Sequence, residues 1–534
     1  MGKSYRSGAD PAVVEFRGEY YMFVTRSWGY WHSKDLLNWD FITPEKWYFE
    51  GCNAPAAHNY KDSVLYVCGN PSGAMSILYT DNPKRGDWKA VPSVLHDLQD
   101  PALFIDDDER AYMYWGSSNR WPIRGKELDM KNKFLPIAKK PDSLLFLRPD
   151  IHGWERFGEN HTSDIKPFIE GAWMTKHNGK YYLQYAAPGT QFNVYGDGVY
   201  VGKSPLGPFE YAAHNPFCYK PGGFATGAGH GSTVCGPGGI YWHFGTIHLS
   251  INYKFERRLC MFPTFFDEDG AMYSDTYFGD YPHYSPDQVS RQTTSGGFRG
   301  WMLLSYGKPV KASSQLESYP VENVTDENLK TFWVAEKNDD KQWVEIDLEE
   351  VSDVYALQLN FFDYEETGFW GRMPNLRQRY LVEASVDGAR WRVLVDYRNS
   401  FRDAPHNYIE LDQPIEARYI RYRHHYVPGK NLAMGDIRVF GLGRGKKPAT
   451  VKGFTVVREA DERNARISWK AVKGAQGYNV LWGVALDKLY SSWMVYGDNS
   501  LDLRALTVGQ KYYFAIEAFN ENGISQRVFL REAH

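Results

Sequence analysis

Ala9-Asp10-Pro11, Gln99-Asp100-Pro101 and Glu170-Gly171-Ala172 are three short acidic phrases in the first third of a 534-residue chain. Each leads into an aromatic run: Tyr20-Tyr21-Met22-Phe23, Ala111-Tyr112-Met113-Tyr114-Trp115 and Lys180-Tyr181-Tyr182-Leu183-Gln184-Tyr185. Aromatic runs of this length, bounded by Gly, Pro and Asp, read as strands. A carboxylate at the same point of a repeated β unit has a consequence beyond the single unit. A radial repeat brings equivalent points together at one axis, so the three acids would meet there.

Working outward, the repeat has a closing element as well. Ser33-Lys34-Asp35-Leu36-Leu37-Asn38-Trp39, Tyr79-Thr80-Asp81-Asn82-Pro83 running on to Trp88, and Ser204-Pro205-Leu206-Gly207-Pro208-Phe209 each end a unit with a turn and an aromatic residue. Units begin near Asp10, Asn53, Asp100, Glu170 and Thr226, about 40 to 70 residues apart. That is the spacing of propeller blades of about four strands. Helical periodicity is nearly absent. The fold class expected is therefore all-β, with a five-bladed β-propeller over residues 1–290.

The pattern stops at Ser290-Arg291-Gln292-Thr293-Thr294-Ser295-Gly296-Gly297, a polar, glycine-rich stretch of the kind that joins domains. Residues 301–442 then read as a β-sandwich, with Trp343-Val344-Glu345-Ile346-Asp347-Leu348 and Tyr419-Ile420-Arg421-Tyr422-Arg423 as alternating strands. A second junction at Gly441 to Pro448 precedes a smaller sandwich over 450–534, with Ile467-Ser468-Trp469 and Tyr478 to Trp482 as its central strands.

Composition removes several function classes. Lys plus Arg at 61 nearly balances Asp plus Glu at 65, so no electrostatic argument supports a nucleic-acid partner. No apolar run reaches the ~18 residues needed for a membrane span. The start, Met1-Gly2-Lys3-Ser4-Tyr5-Arg6, lacks the apolar stretch of a secretory signal, which is expected to be either absent or already removed. The five cysteines, Cys52, Cys68, Cys218, Cys235 and Cys260, lack the paired spacing of disulfides or zinc sites and read mostly as buried thiols. An aromatic content of 16% suits sheet faces or platforms for sugar rings equally well. Asp106-Asp107-Asp108-Glu109, though dense in charge, falls between two strand runs and reads as a solvated hairpin turn.

With Asp10-Pro11, Asp100-Pro101, Glu170-Gly171, Gly229-His230-Gly231-Ser232 and an arginine six residues before Pro263, residues 1 to about 285 resemble glycoside hydrolase family 43. The resemblance implies a five-bladed propeller and an inverting, exo-acting glycosidase, with Asp10 as general base, Glu170 as general acid and Asp100 tuning the acid. His230 and Arg257 would line the sugar pocket; Arg258 is the alternative to Arg257, because neighbouring strand residues face opposite ways. Inversion needs the base and acid about 6.5 to 9.5 Å apart so that a water fits between base and sugar. Trp28 and Trp115 are candidate stacking platforms. Asn53 stands where relatives commonly carry a tryptophan, which reshapes that subsite. Family frequency orders the activities as α-L-arabinofuranosidase, then β-xylosidase, then galactosidase. The rival class is a non-catalytic glycan-binding scaffold.

Residues 305–442 resemble discoidin-like domains and carbohydrate-binding module family 32, through Lys308 to Ser314, Asn323 to Trp333 and Met434 to Gly441. Residues 450–534 resemble a fibronectin type III domain, with Leu506 six residues before Tyr512 as a tyrosine-corner phrase. These resemblances imply no cofactor for the chemistry. They imply structural calcium, with Asp326 and Asp436 as ligands in the discoidin-like domain and His230 bordering an axial ion in the propeller. The expected partner is an oligosaccharide or polysaccharide met by a monomer, in a secreted or periplasmic setting.

Overall fold

The computed structural model describes residues 7–45, 52–70, 74–92, 95–96, 98–251, 253–289, 297–365 and 376–530. The chain start at 1–6 lies outside them, as do residues 290–296 of the junction expected at 290–297.

Five antiparallel sheets form in chain order. Blade one holds Ala12–Phe16, Glu19–Phe23, Tyr30–Ser33 and Asp40–Ile42. The innermost strands of the other four are Asn53–Tyr60, Ala102–Ile105, Glu170–His177 and Thr226–Cys235. Four of the sheets have four strands, and the third adds Asp142–Leu145 beside Ile123–Asp129. Each innermost strand touches its two neighbours in the ring, the first meeting both the second and the fifth. Closure relies on side chains: Val13 N–H donates to Ser232 Oγ at 2.8 Å and Asp10 N–H to Thr246 Oγ1 at 2.9 Å.

The aromatic runs take second-strand positions and are buried, as with Ala111–Trp115, because adjacent blades stack face to face and cover both sides. Their hairpins are tight where the residues permit it. Asn178-Gly179, both at positive φ (47° and 74°), closes the first turn of blade four and pairs His177 with Lys180; such a turn needs two left-handed residues and has a twist that matches the strands. The acidic run Asp106–Glu109 is also a hairpin turn, between Ala102–Ile105 and Ala111–Trp115. Its first residue departs from the solvated reading. Asp106 is buried, accepts from Tyr181 at 2.5 Å and pairs with Lys176 of blade four.

Beyond the propeller, an eight-stranded sheet is built on the long strands Trp343–Phe361, His406–Tyr426 and Ala433–Leu442. It wraps a core that includes Trp333, Val344, Ile346, Leu357 and Tyr422. The last unit has a three-stranded sheet, with Lys452–Arg458, Ala465–Lys470 and Ser500–Leu503, and a five-stranded one centred on Gly477–Gly483 and Tyr513–Asn520. Tyr512 turns its hydroxyl back to accept the N–H of Thr507 at 3.1 Å, the geometry expected of a tyrosine corner. All five cysteines are unbridged; Cys52, Cys68 and Cys218 are buried and Cys260 half-buried, whereas Cys235 is exposed. Among the described residues no helix is long and apolar enough to cross a membrane.

Candidate active site

The axis is marked by a backbone irregularity that recurs in every blade. Asp10 (φ 55°), Ala54 (41°), Asp100 (50°), Gly171 (65°) and His230 (50°) are all left-handed, and each sits at or just before an innermost strand, or on it. Left-handed residues other than glycine are strained and persist where the surrounding structure imposes them. Here bulges accompany them: pairing shifts register between Asn53 and Ala56, between Glu170 and Trp173, and on both sides of Gly229. Four of the five positions, with Glu170 beside Gly171, bring acidic or imidazole side chains together.

Asp10 is buried and enclosed by donors. Its Oδ2 accepts from Thr25 Oγ1 at 2.5 Å, and its Oδ1 faces Arg257 Nη1 at 3.4 Å and His230 Nδ1 at 3.5 Å. Burial alone would raise this carboxyl; Arg257, His230 and the Thr25 hydroxyl outweigh it and hold Asp10 below the ordinary carboxylate value. Arg257 also donates to Thr190 Oγ1 at 3.2 Å. Arg258, its chain neighbour, points away and donates to His406 of the eight-stranded sheet at 3.1 Å. The strand register, with His248 opposite Arg257, decides between the two arginines.

Glu170 is held differently. Tyr195 donates its hydroxyl to Oε1 at 2.7 Å and Ser117 donates to Oε2 at 3.0 Å. Ligand atoms of Asp100, Glu170 and His230 all lie within 4.8 Å of one another. Asp100 is pushed up to about 7, by burial first and then by the charges of Glu170 and Asp10, against the pull of His230 and Ser117. His230 moves up too: burial disfavours its charge, but Asp10, Asp100, Glu170 and Asp197 surround it and prevail. Beneath it, buried Asp197 accepts the N–H groups of His230 and Gly231 at 2.8 and 3.0 Å and lies 3.0 Å from His243 Nε2. That carboxylate fixes the left-handed turn which presents the imidazole.

The structure thus brings together Asp10, Asp100, Glu170, His230 and Arg257. Asn53 lies at the second blade's bulge, where its Oδ1 accepts from Arg26 at 2.8 Å. That ties it to the loop carrying Trp28, which is half-exposed with φ 58°. Trp115 is 9% exposed and belongs to the propeller core, so little ring face is left for a sugar. Thr25, Ser117, Thr190, Tyr195 and Asp197 escaped the sequence reading. They stand on later strands and loops of their blades, outside the repeated phrase, and only the glycine-flanked Gly196-Asp197-Gly198 offered a cue.

In the eight-stranded unit, Asp436 is buried, with Oδ1 accepting from Glu327 N–H at 2.8 Å and Oδ2 without a partner among the described residues. Burial and the nearby charges of Glu327 and Asp326 push it well above the ordinary value. Asp326 accepts from Thr331 Oγ1 at 2.7 Å and from Asn328 N–H at 3.1 Å.

Residues 5–272, half of the chain, match the family described as "Glycosyl hydrolases family 43". The chain belongs to glycosyl hydrolases family 43. Residues 309–434 match "F5/8 type C domain", so the family 43 propeller is followed by a discoidin-like β-sandwich. A "Beta-xylosidase" of Xylanibacter ruminicola is 33% identical over 202 residues, covering 34% of this chain and 57% of that protein. An "Arabinoxylan arabinofuranohydrolase" of Bacillus subtilis is 30% identical over 189 residues, covering 31% and 34%. A solved "Glycoside hydrolase" aligns over 82% of this chain and 99% of its own at 20% identity and a TM-score of 0.45. The chain therefore spans about a third to three fifths of the curated relatives' lengths.

Proposed function

We propose that this family 43 chain is an inverting, exo-acting glycoside hydrolase that removes pentose or galactose units from polysaccharide side chains, with α-L-arabinofuranoside as the leading substrate. The observation that carries the reading is the contrast between buried Asp10 and half-buried Glu170. Asp10 is held ionised by Arg257, His230 and Thr25, as a general base must be. Glu170 is gripped by two hydroxyl donors in a cluster whose neighbour Asp100 retains a proton near neutrality.

In the proposed cycle Asp10 takes a proton from a water, whose oxygen attacks the anomeric carbon from the face opposite the leaving group. The glycosidic oxygen departs with a proton from Glu170, and the C–O bond breaks as the new one forms. Asp10 ends protonated and Glu170 ionised; exchange with solvent restores both. Asp100 positions the acid, and Arg257 and His230 donate hydrogen bonds to the bound sugar's oxygens. The glycan-binding scaffold is less favoured, because a binding site has no use for a base held ionised opposite a second carboxylate gripped by hydroxyl donors.

Relatives named as xylosidase and arabinofuranohydrolase support the pentose preference. The discoidin-like domain supports work on an extracellular polysaccharide. For calcium the two candidate places differ. At the axis, His230 faces Asp10 as a charge partner, and its ring with the Asp100 and Glu170 carboxylates offers ligand atoms within 4.8 Å of one another that could hold an ion. At the discoidin-like site, Asp436 with its unpartnered oxygen, and Asp326, have the hard oxygen chemistry that calcium takes; an ion there would neutralise buried like charges and have no part in the reaction.

The test is hydrolysis of aryl α-L-arabinofuranosides, β-xylosides and β-galactosides by the wild type, Asp10→Ala and Glu170→Ala. Loss of about 10³-fold or more in kcat is expected in each variant, with inverted configuration of the first-formed sugar by proton NMR. Activity that survives both changes, or a retained configuration, sinks the proposal.

A further inference from the structure

A cavity of about 620 Å³ lies between blade five and the discoidin-like domain, within the size range of ligand sites. One wall is the face of strand Arg257–Phe266 that carries Arg258; the other is the eight-stranded sheet. On that sheet alternate residues of three neighbouring strands point the same way. Asn360 pairs in register with His406, and Gln358 with both Tyr408 and Arg438. The wall is thus a sheet face of polar and aromatic groups where an apolar interdomain contact would be expected.

Several of these groups are locked before any ligand arrives. His406 accepts from Arg258 at Nε2 (3.1 Å) and has its Nδ1 2.9 Å from Asn360 Oδ1, which fixes a neutral ring with its proton on Nδ1. Others keep capacity to spare. Arg299 lies between the rings of Tyr284 and Trp301, 4.6 and 4.7 Å from their centroids, and pairs with Glu410 at 3.0 Å. Its Nε is buried with no hydrogen-bond partner among the described residues. Tyr284 and Tyr408 remain 39% and 40% exposed, at the same cavity.

We propose that this cavity is a second carbohydrate-binding site, which takes a neutral oligosaccharide segment of the polysaccharide while the propeller axis works on a side chain. Tyr408 and Tyr284 supply planar faces for sugar rings. Glu410 and Arg299 supply a paired acceptor and donor for vicinal hydroxyls. The charges favour a neutral ligand: Arg299 is matched by Glu410, Arg438 by Glu327 and Asp280 by Lys220. The inference rests on the glycan-degrading reading of the propeller, although it needs no particular catalytic residue.

The test uses the full chain in native gels containing soluble arabinoxylan, arabinan or galactan, comparing wild type, Asp10→Asn and the double variant Tyr408→Ala/Glu410→Gln. At least one polysaccharide should retard wild type and Asp10→Asn alike. The double variant should bind it about tenfold more weakly, raise KM on that polysaccharide and leave kcat/KM on small aryl glycosides unchanged. Tyr408→Phe, which keeps the ring, should bind as wild type, and its melting temperature should match that of the double variant. Retardation unchanged in the double variant, or absent in the wild type, overturns the proposal. Tyr408-dependent retardation by a protein that cleaves no aryl glycoside would overturn the catalytic reading and leave this one standing.

Discussion

Thr25 donates its hydroxyl to Asp10 at 2.5 Å while the same oxygen accepts the N–H of Ala54 at 2.8 Å. One β-branched side chain therefore orients the proposed base and ties the left-handed residue of blade two to that of blade one. Thr25→Val keeps the shape and removes both bonds. A charge-assisted hydrogen bond contributes about 1.5–3 kcal/mol, so the Asp10 carboxyl should rise by about one pH unit. Because Asp10 must be ionised to act, the acid limb of kcat/KM against pH should move upward by about one unit, with the loss of activity approaching about tenfold only on the acid side of that limb. Thr25→Ser, which keeps the hydroxyl, should restore the wild-type limb. Unchanged profiles in Thr25→Val would show that this contact does not set the base.

Asp100 makes a prediction about stability with a definite sign. Its folded carboxyl sits at about 7, whereas an unfolded aspartate titrates near ~3.9. Between those values the native state holds a proton that the unfolded state has lost, so raising the pH through this window removes stability. Asp100→Asn cannot titrate and escapes the loss. The melting temperature of wild type should fall relative to Asp100→Asn between pH 4 and 8, while the variant loses about tenfold or more in kcat. Parallel melting curves across that range would refute the assignment.

Gly171 stands between acid and imidazole. With φ 65°, a Cβ at this position would lie 2.9 Å from His230 Cγ and 3.0 Å from its Cα. Gly171→Ala should displace Glu170 and His230 together, at a cost of about 1–3 kcal/mol in stability. Activity should fall by at least about 10²-fold, because a displacement of about 1 Å is enough for that. Gly179, also at positive φ but with open space around it, is the control: alanine there should cost stability without moving KM or kcat.

What was legible in the sequence follows from how each residue is placed. Asp10, Asp100 and Glu170 could be found because a repeat puts the same phrase at the same radius, and the irregular backbone at the axis occupies that very phrase. Their partners could not. Thr25 lies in the turn after the second strand of blade one, and Tyr195 and Asp197 enter blade four from a loop and its third strand, positions that have no periodic signature. Arg257 against Arg258 turned on strand register, which sequence leaves open by one residue. Trp115 shows the opposite failure: its aromatic run was visible, but a ring buried from both sides cannot be told by pattern from one that faces a sugar.

Calcium at the discoidin-like domain is testable apart from catalysis. Burial and the charges of Glu327 and Asp326 keep Asp436 well above the ordinary value, so an ion bound there would displace a proton. Millimolar calcium should raise the melting temperature, more at pH 8 than at pH 5, and a chelator should reverse it with kcat on aryl glycosides unaffected. Asp436→Asn should abolish the response. A calcium shift that persists in that variant would place the ion elsewhere.

The last unit is bound to the propeller tightly enough to unfold with it. Arg156, from the loop before blade four's inner strand, donates to Asn464 Oδ1 and to the carbonyl of Arg504, both at 2.6 Å, and Arg463 reaches back to the carbonyl of Pro149 at 2.7 Å. Around them one continuous apolar core joins Trp154, Tyr185 and Tyr219 of the propeller to Val480, Trp482 and Phe514 of the C-terminal sandwich. Breaking this seam strands a half-buried guanidinium and exposes tryptophan faces on both sides. Arg156→Ala should lower the melting temperature of the propeller itself, as followed by loss of aryl glycosidase activity on heating. Calorimetry should show the propeller and last sandwich melting in one transition in the wild type. Two well-separated transitions, with activity tracking only one and indifferent to Arg156→Ala, would mean that the sandwich is merely tethered and that its buried contacts contribute nothing to holding the blades closed.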